Sequence, residues 1–300
     1  MAANKTANQN SSQTGNRNFQ SDSGKRYFDF VSADFIEELC FRAAEGLDPE
    51  DFFSYSEEIH SFFKRFGLTD VIIFKKVGKD KSTGGFSGVC DALFNGNGGE
   101  PSVRYYRGVE IEAENENTLS ALIRKERPGA DFIAVRSSDE KVIRAAAESS
   151  DADLVIPISV SDSAGKTYGA GSIHVSGGRI NHIVAKIARD KKTAFGFDIY
   201  PFLQTKGYRR SKIFADAMDM IPILRKYQVP VLLFSGADSF YDMRGPYESE
   251  AFGRLLGLSQ DETKAAVSLY FEEIIERRKK QKSGQIIMSG VEIVEDEMND

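Results

Sequence analysis

Short, nearly continuous apolar runs alternate along this chain with stretches of helical periodicity. The runs fall at 27–30 (YFDF), 70–74 (DVIIF), 108–113 (GVEIEA), 132–136 (FIAVR), 153–156 (DLVI), 193–199 (TAFGFDI) and 231–235 (VLLFS). A strand that is apolar on both faces is covered on both faces, as in a parallel sheet flanked by helices. Alternation of strand and helix predicts β/α units. The expected fold class is therefore α/β, a TIM-like β/α barrel with about seven parallel strands. An open doubly wound sheet is the alternative, because periodicity alone cannot close a sheet.

The helices carry their own boundaries. Ser259 and Glu262 have capping-box spacing, and Thr263, Ala266, Val267, Tyr270 and Ile274 follow at helical intervals. Pro246 suits a first turn and Gly257 a C-cap. Ile213, Ala217, Ile221 and Leu224 form one apolar stripe, and Pro222 inside that helix is expected to kink or split it. Residues 1–26 are almost free of apolar content and are expected to be a disordered polar tail. Residues 279–300 are expected to be a charged tail, whose last ten residues hold five acids and no base. One domain is expected over 27–278, with the Gly-, Ser- and Asn-rich stretch 77–105 as a surface insertion.

Composition narrows the classes. The chain has 300 residues, 41% of them hydrophobic, enough for an ordinary core. It has no apolar run of about 18 residues and no secretory h-region, so neither a membrane span nor export is expected. Cys40 and Cys90 are its only cysteines, which fits a reducing cytoplasm and excludes a cysteine-rich zinc site. The net charge of -6 argues mildly against a nucleic-acid partner, but local patches decide that question.

Two such patches exist. Between Arg179 and Lys192 stand five bases against one acid, Asp190. On a helix from about Asn181, Ile183, Val184, Ile187 and Ala188 share one face, while His182, Lys186 and Arg189 share another. The stripe is either a solvated helix face or a row of phosphate contacts. The second patch, Lys206 to Lys212, has four bases, including Arg209 and Arg210, and no acid. It opens a helix, where exposed cations oppose the dipole by about 0.3–1 kcal/mol each. That placement points to an anion, unless the patch simply lies in a loop. Arg107 before the third strand, Arg136 ending the fourth, Arg144 on the next helix and Arg244 past the seventh complete the basic candidates. Strand C-termini face the functional end of such a barrel, which favours Arg136 and Arg244.

Carboxylates gather near strand ends: Asp29, Glu110, Glu112, Asp198 and Asp238. They could hold magnesium. His60, His174 and His182 are the only histidines, and no HxH or HExxH occurs. No Ser-His-Asp or Cys-His arrangement, phosphate loop or dinucleotide fingerprint is evident.

Several blocks occur together in order: Arg107-Gly-Val-Glu-Ile-Glu112, Ala134-Val-Arg136, Arg144-Ala-Ala146, Asn181-His-Ile-Val-Ala-Lys186, Phe197-Asp-Ile-Tyr-Pro-Phe-Leu203, Ser235-Gly-Ala237 and the segment from Phe240 to Leu258. From roughly Asp29 to Ile275 the chain resembles the archaeal ribonuclease P protein component 3 family. The resemblance implies a PHP-like barrel acting as a non-catalytic, RNA-binding subunit of the endonuclease that removes the 5′ leader of precursor tRNA. It implies as partners the catalytic RNA, a small RRM-like protein (component 2) and the other protein subunits. Mg2+ would be required by the RNA, and no cofactor would be bound by this chain. Matched position by position, it marks Arg107, Arg136, Arg144, His182, Lys186 and Arg244 as contacts to RNA or partner protein. Arg209 and Arg210 follow more loosely, and Arg179 and Arg189 come from the basic stripe itself. The chain departs from the family where a histidine often follows the first strand. It has Tyr241, Met243 and Gly245 in place of the usual Trp, Leu and Ser, and Gly196 where an acid is common. These departures weaken the alternative of a stand-alone PHP-type metal phosphoesterase. A scaffold that binds only proteins is the third reading.

Overall fold

The computed structural model describes residues 25–43, 52–78, 81–82, 86, 88–95, 103–162, 173–177, 180–284, 286–288 and 291–292. Every expected run contains a strand: β1 Phe28–Ser32, β2 Asp70–Gly78, β3 Arg104–Glu112, β4 Phe132–Arg136, β5 Leu154–Ile156, β6 Ala194–Asp198 and β7 Val231–Phe234. Each pairs in parallel with the next. The ends of the sheet meet through a parallel bridge between Val31 and Ala237. There the Ser32 amide donates to the Ala237 carbonyl at 3.0 Å, and the Asp29 carboxylate accepts from Ser235 N and Oγ, both at 2.6 Å. These contacts decide for a near-closed barrel over an open sheet.

Around it run α1 Ala33–Ala43, α2 Phe52–Arg65, α3 Gly88–Asn95, α4 Glu116–Glu126, α5 Glu140–Glu148 and α6 His182–Lys191. Then come α7 Tyr200–Gln204, α8 Gly207–Lys226, α9 Pro246–Leu255, α10 Gln260–Ala266 and α11 Leu269–Lys282. The strand alternation sorts the core into layers. Phe28, Phe30, Phe74, Phe132, Leu154 and Phe234 fill the lumen, while Val109, Ile133, Val135, Phe195 and Phe197 face the helices. The Phe30 ring lies 4.5 Å from Phe234 and 5.4 Å from Phe271 of α11. Helix α11 thus plugs the end of the barrel where the strands begin. Arg26 fastens it there, donating to Asp70 of β2 at 2.6 Å and to Glu272 of α11 at 3.1 Å.

Several boundaries differ from the sequence reading. Arg26, expected in the tail, is fixed by those ion pairs. Helix α11 continues past 278 to Lys282, because its face is held to the barrel: buried Arg278 donates to buried Asp153. Within the expected insertion, β2 extends to Gly78 and α3 buries Cys90 and Leu93. Residues 1–24 and 293–300, and the rest of 79–102, lie outside the described residues. An antiparallel pair, 158–162 with 173–177, was not anticipated. Pro222 does not split α8. Pro222 has no amide to donate to the Met218 carbonyl, and both residues lie on the exposed face of the helix, where losing one bond disturbs no core packing. In α6 the buried face is Val184, Ala185 and Ala188, and Ile183 is 49% exposed. The apolar stripe is therefore rotated from the expected one.

Candidate nucleic-acid interface and barrel mouth

Helix α6 begins where Asn181 accepts hydrogen bonds from the Ile183 and Val184 amides, both at 3.0 Å. It ends at Lys192 in the left-handed region, φ 58°. Burial of Val184, Ala185 and Ala188 turns His182, Lys186 and Arg189 outward, and all three are exposed. Arg189 is partly neutralised by Asp190 at 2.7 Å, whereas Lys186 has no ion-pair partner among the described residues. Helix α5 packs against α6, and its exposed Arg144 is bonded to Glu148 at 2.8 Å. Arg179 lies outside the described residues.

The second patch opens α8 as expected, with Lys206, Arg209 and Lys212 exposed. Arg210 differs. It donates to the carbonyls of Thr205 at 2.6 Å and Leu203 at 3.2 Å, where α7 ends. Arg244 similarly braces its own turn through the carbonyls of Tyr241 and Met243. Gln204 and Asp242 link the two segments at 3.3 Å. Lys206–Lys212 and Arg244 thus border the barrel mouth, at the strand C-termini. Arg107 lies inside β3, not before it. Its guanidinium sits 4.5 Å from the Phe94 ring centroid and 3.8 Å from Asp91 of α3.

Arg136 is not on the surface at all. It is 6% exposed and points into the mouth, because the last residue of β4 alternates inward. Its Nε and Nη2 donate to Glu110 Oε1 and Oε2 at 3.0 and 2.9 Å, and Nη2 also donates to Asp198 Oδ2 at 2.8 Å. One cation thus serves two buried carboxylates from strands on either side. An RNA backbone has no access to it in this arrangement. Asp198 Oδ1 is buried with no hydrogen-bond partner among the described residues. Burial drives the Asp198 carboxyl up, only partly countered by Arg136. Burial also pushes Asp29 up to about 7, against the two hydrogen bonds from Ser235. Gly236, at φ +65°, lets the chain pass this cluster, since a Cβ there would stand 2.8 Å from Asp198 Cβ.

This donor set does not fit a divalent ion. Glu110 and Asp198 point at a guanidinium, Asp29 at the Ser235 amide and hydroxyl, and Asp238 at Lys76 Nζ, 2.7 Å away. No group of three or more potential metal ligands converges among the described residues. Two neighbours of the α6 stripe escaped the sequence reading, Lys226 and Tyr227 at the end of α8. The only signal was a basic–aromatic pair beyond an apolar stripe.

A profile of the family described as RNase P subunit p30 matches residues 54–283. The chain belongs to that family. It is a protein subunit of ribonuclease P, not a stand-alone phosphoesterase. Ribonuclease P protein component 3 of Methanosarcina mazei is 33% identical over 193 residues, covering 64% of this chain and 74% of that protein. Its counterpart in Methanococcoides burtonii is 33% identical over 190 residues, covering 63% and 72%. In an archaeal ribonuclease P solved by cryo-EM with mature tRNA, one chain superposes with a TM-score of 0.62 at 19% identity. The match covers 91% of this p30-family chain and 100% of that one. It shows a shared barrel. No helix among the described residues is long and apolar enough to cross a membrane.

Proposed function

We propose that this p30-family subunit binds and braces the catalytic RNA of ribonuclease P, which removes the 5′ leader of precursor tRNA and leaves a 5′ phosphate. The observation that carries this reading is the exposed stripe His182–Lys186–Arg189, set on a helix whose opposite face is fully used in packing. Cations at helical intervals on a rigid support suit a phosphate backbone and add little to folding. The subunit itself performs no bond cleavage; Mg2+ serves the RNA. The patch at the barrel mouth, Lys206–Lys212 with Arg244, faces a second RNA segment or a protein neighbour. A small RRM-like subunit is its expected partner, and the cytoplasm its expected compartment.

The test is purification of the tagged full chain from its source under gentle, low-salt conditions. One stable RNA should copurify, with magnesium-dependent cleavage of precursor tRNA. Recovery of the chain with no RNA would refute the proposal.

A further inference from the structure

Where the start of α6 meets the last turns of α8, an open groove of about 480 Å³ separates the two helices. Ile180 and His182 line it from one side, and Pro222, Ile223, Lys226 and Tyr227 from the other. Ile180 is buried and Ile223 and Tyr227 are half-buried against the core, so the floor is apolar and fixed. Lys226 holds its ammonium 5.7 Å from the Tyr227 ring centroid. The first-turn amides of α6 do not make this an anion site, because Asn181 already occupies two of them. Any charge recognition must come from side chains.

We infer that this groove takes one unpaired nucleotide of an RNA strand, its base against Tyr227 and Pro222 and its phosphate between Lys226 and His182. The inference rests on the RNA-subunit reading and adds to it the kind of RNA that is bound. Three features carry it. The groove is open, which suits a polymer held on one face better than a small metabolite, which pockets usually bury by about 70–90% or more. Its walls pair an aromatic ring and a proline with a cation, the combination that holds single-stranded bases by stacking and their backbone by charge. It also opens at the first residue of the α6 stripe, so a strand whose phosphates follow Arg189, Lys186 and His182 arrives at the groove. Asp219 stands one turn before Pro222 on the same stripe of α8 and is exposed. It repels phosphate from that end and leaves α6 as the approach.

The experiment uses the ribonucleoprotein purified on the tagged full chain, irradiated at short ultraviolet wavelength and digested for mass spectrometry. A nucleotide adduct is expected on the peptide that carries Tyr227. Lys226→Glu, an exposed change that leaves the core alone, should remove the adduct. Tyr227→Leu should weaken RNA binding about tenfold with little change in its salt dependence, as loss of stacking does, while Lys186→Glu lowers the salt slope. RNA that copurifies without any adduct on 222–227, together with wild-type affinity in both groove variants, overturns the groove. So does protection of these residues by a protein neighbour in the same complex. Absence of RNA from the wild-type preparation instead refutes the RNA-subunit reading beneath it.

Discussion

Arg136 grips Glu110 across neighbouring strands with two parallel hydrogen bonds, of 3.0 and 2.9 Å, in the buried mouth of the barrel. Its Nη2 also donates to Asp198 Oδ2 on β6 at 2.8 Å, so one guanidinium serves carboxylates of two strands. Removing one partner of a buried ion pair costs about 3–5 kcal/mol. Arg136→Met should therefore lower the unfolding free energy by that order in urea titration. Adding Glu110→Gln should recover part of the loss. A single variant within about 1 kcal/mol of wild type would mean that water reaches the cluster.

Asp29 gives the seam between β1 and β7 a pH dependence. Burial raises its carboxyl from 3.8 to about 7 in the folded chain. The folded state then holds a proton that the unfolded state releases. The stability from this group is fully present below its unfolded value, near 3.8, and is lost as pH rises through about 7. Asp198, also raised by burial, acts in the same direction. Urea unfolding between about pH 5 and 8 should show wild type losing stability relative to Asp29→Asn. Parallel pH profiles for the two proteins would remove Asp29 from this role.

The α6 stripe predicts a salt effect. Lys186→Glu with Arg189→Glu should weaken RNA binding and reduce the slope of log affinity against log salt by about 0.7–0.9 for every phosphate left without its cation. Both side chains are exposed on a helix packed by its other face, so the melting temperature should hardly move. An unchanged slope would make the stripe a solvated face.

Gly196 explains one departure from the family pattern. It faces the lumen from β6, where a Cβ would stand 2.8 Å from Phe234 Cε1 and 2.9 Å from Leu154 Cδ1. An acid has no space there. Gly196→Asp should leave the protein insoluble or unfolded on expression, by overpacking and by burying a charge in an apolar layer. Gly196→Ala should fold with a loss of about 1–3 kcal/mol. A stable, soluble aspartate variant would show that the lumen yields more than its packing suggests.

Local chemistry was legible in the sequence because it is decided by neighbours a few residues away. The strand cores, the Ser259–Glu262 capping box, the buried stripe of α8 and the outward turn of Lys186 all follow from period and propensity, and all are present. Tertiary structure alone decided what depends on distant pairing. The barrel closes because Asp29 meets Ser235, 206 residues along the chain. Arg26 and Arg278 are structural because α11 returns to plug the lumen. Arg136 and Arg144 are both basic residues in matched blocks, and its strand-end position favours Arg136 as a contact. One lies inside the barrel between two acids and the other lies in solvent. The charge was written in the sequence, and its surroundings, which fix whether it holds the fold or meets a partner, were set only when the strands closed.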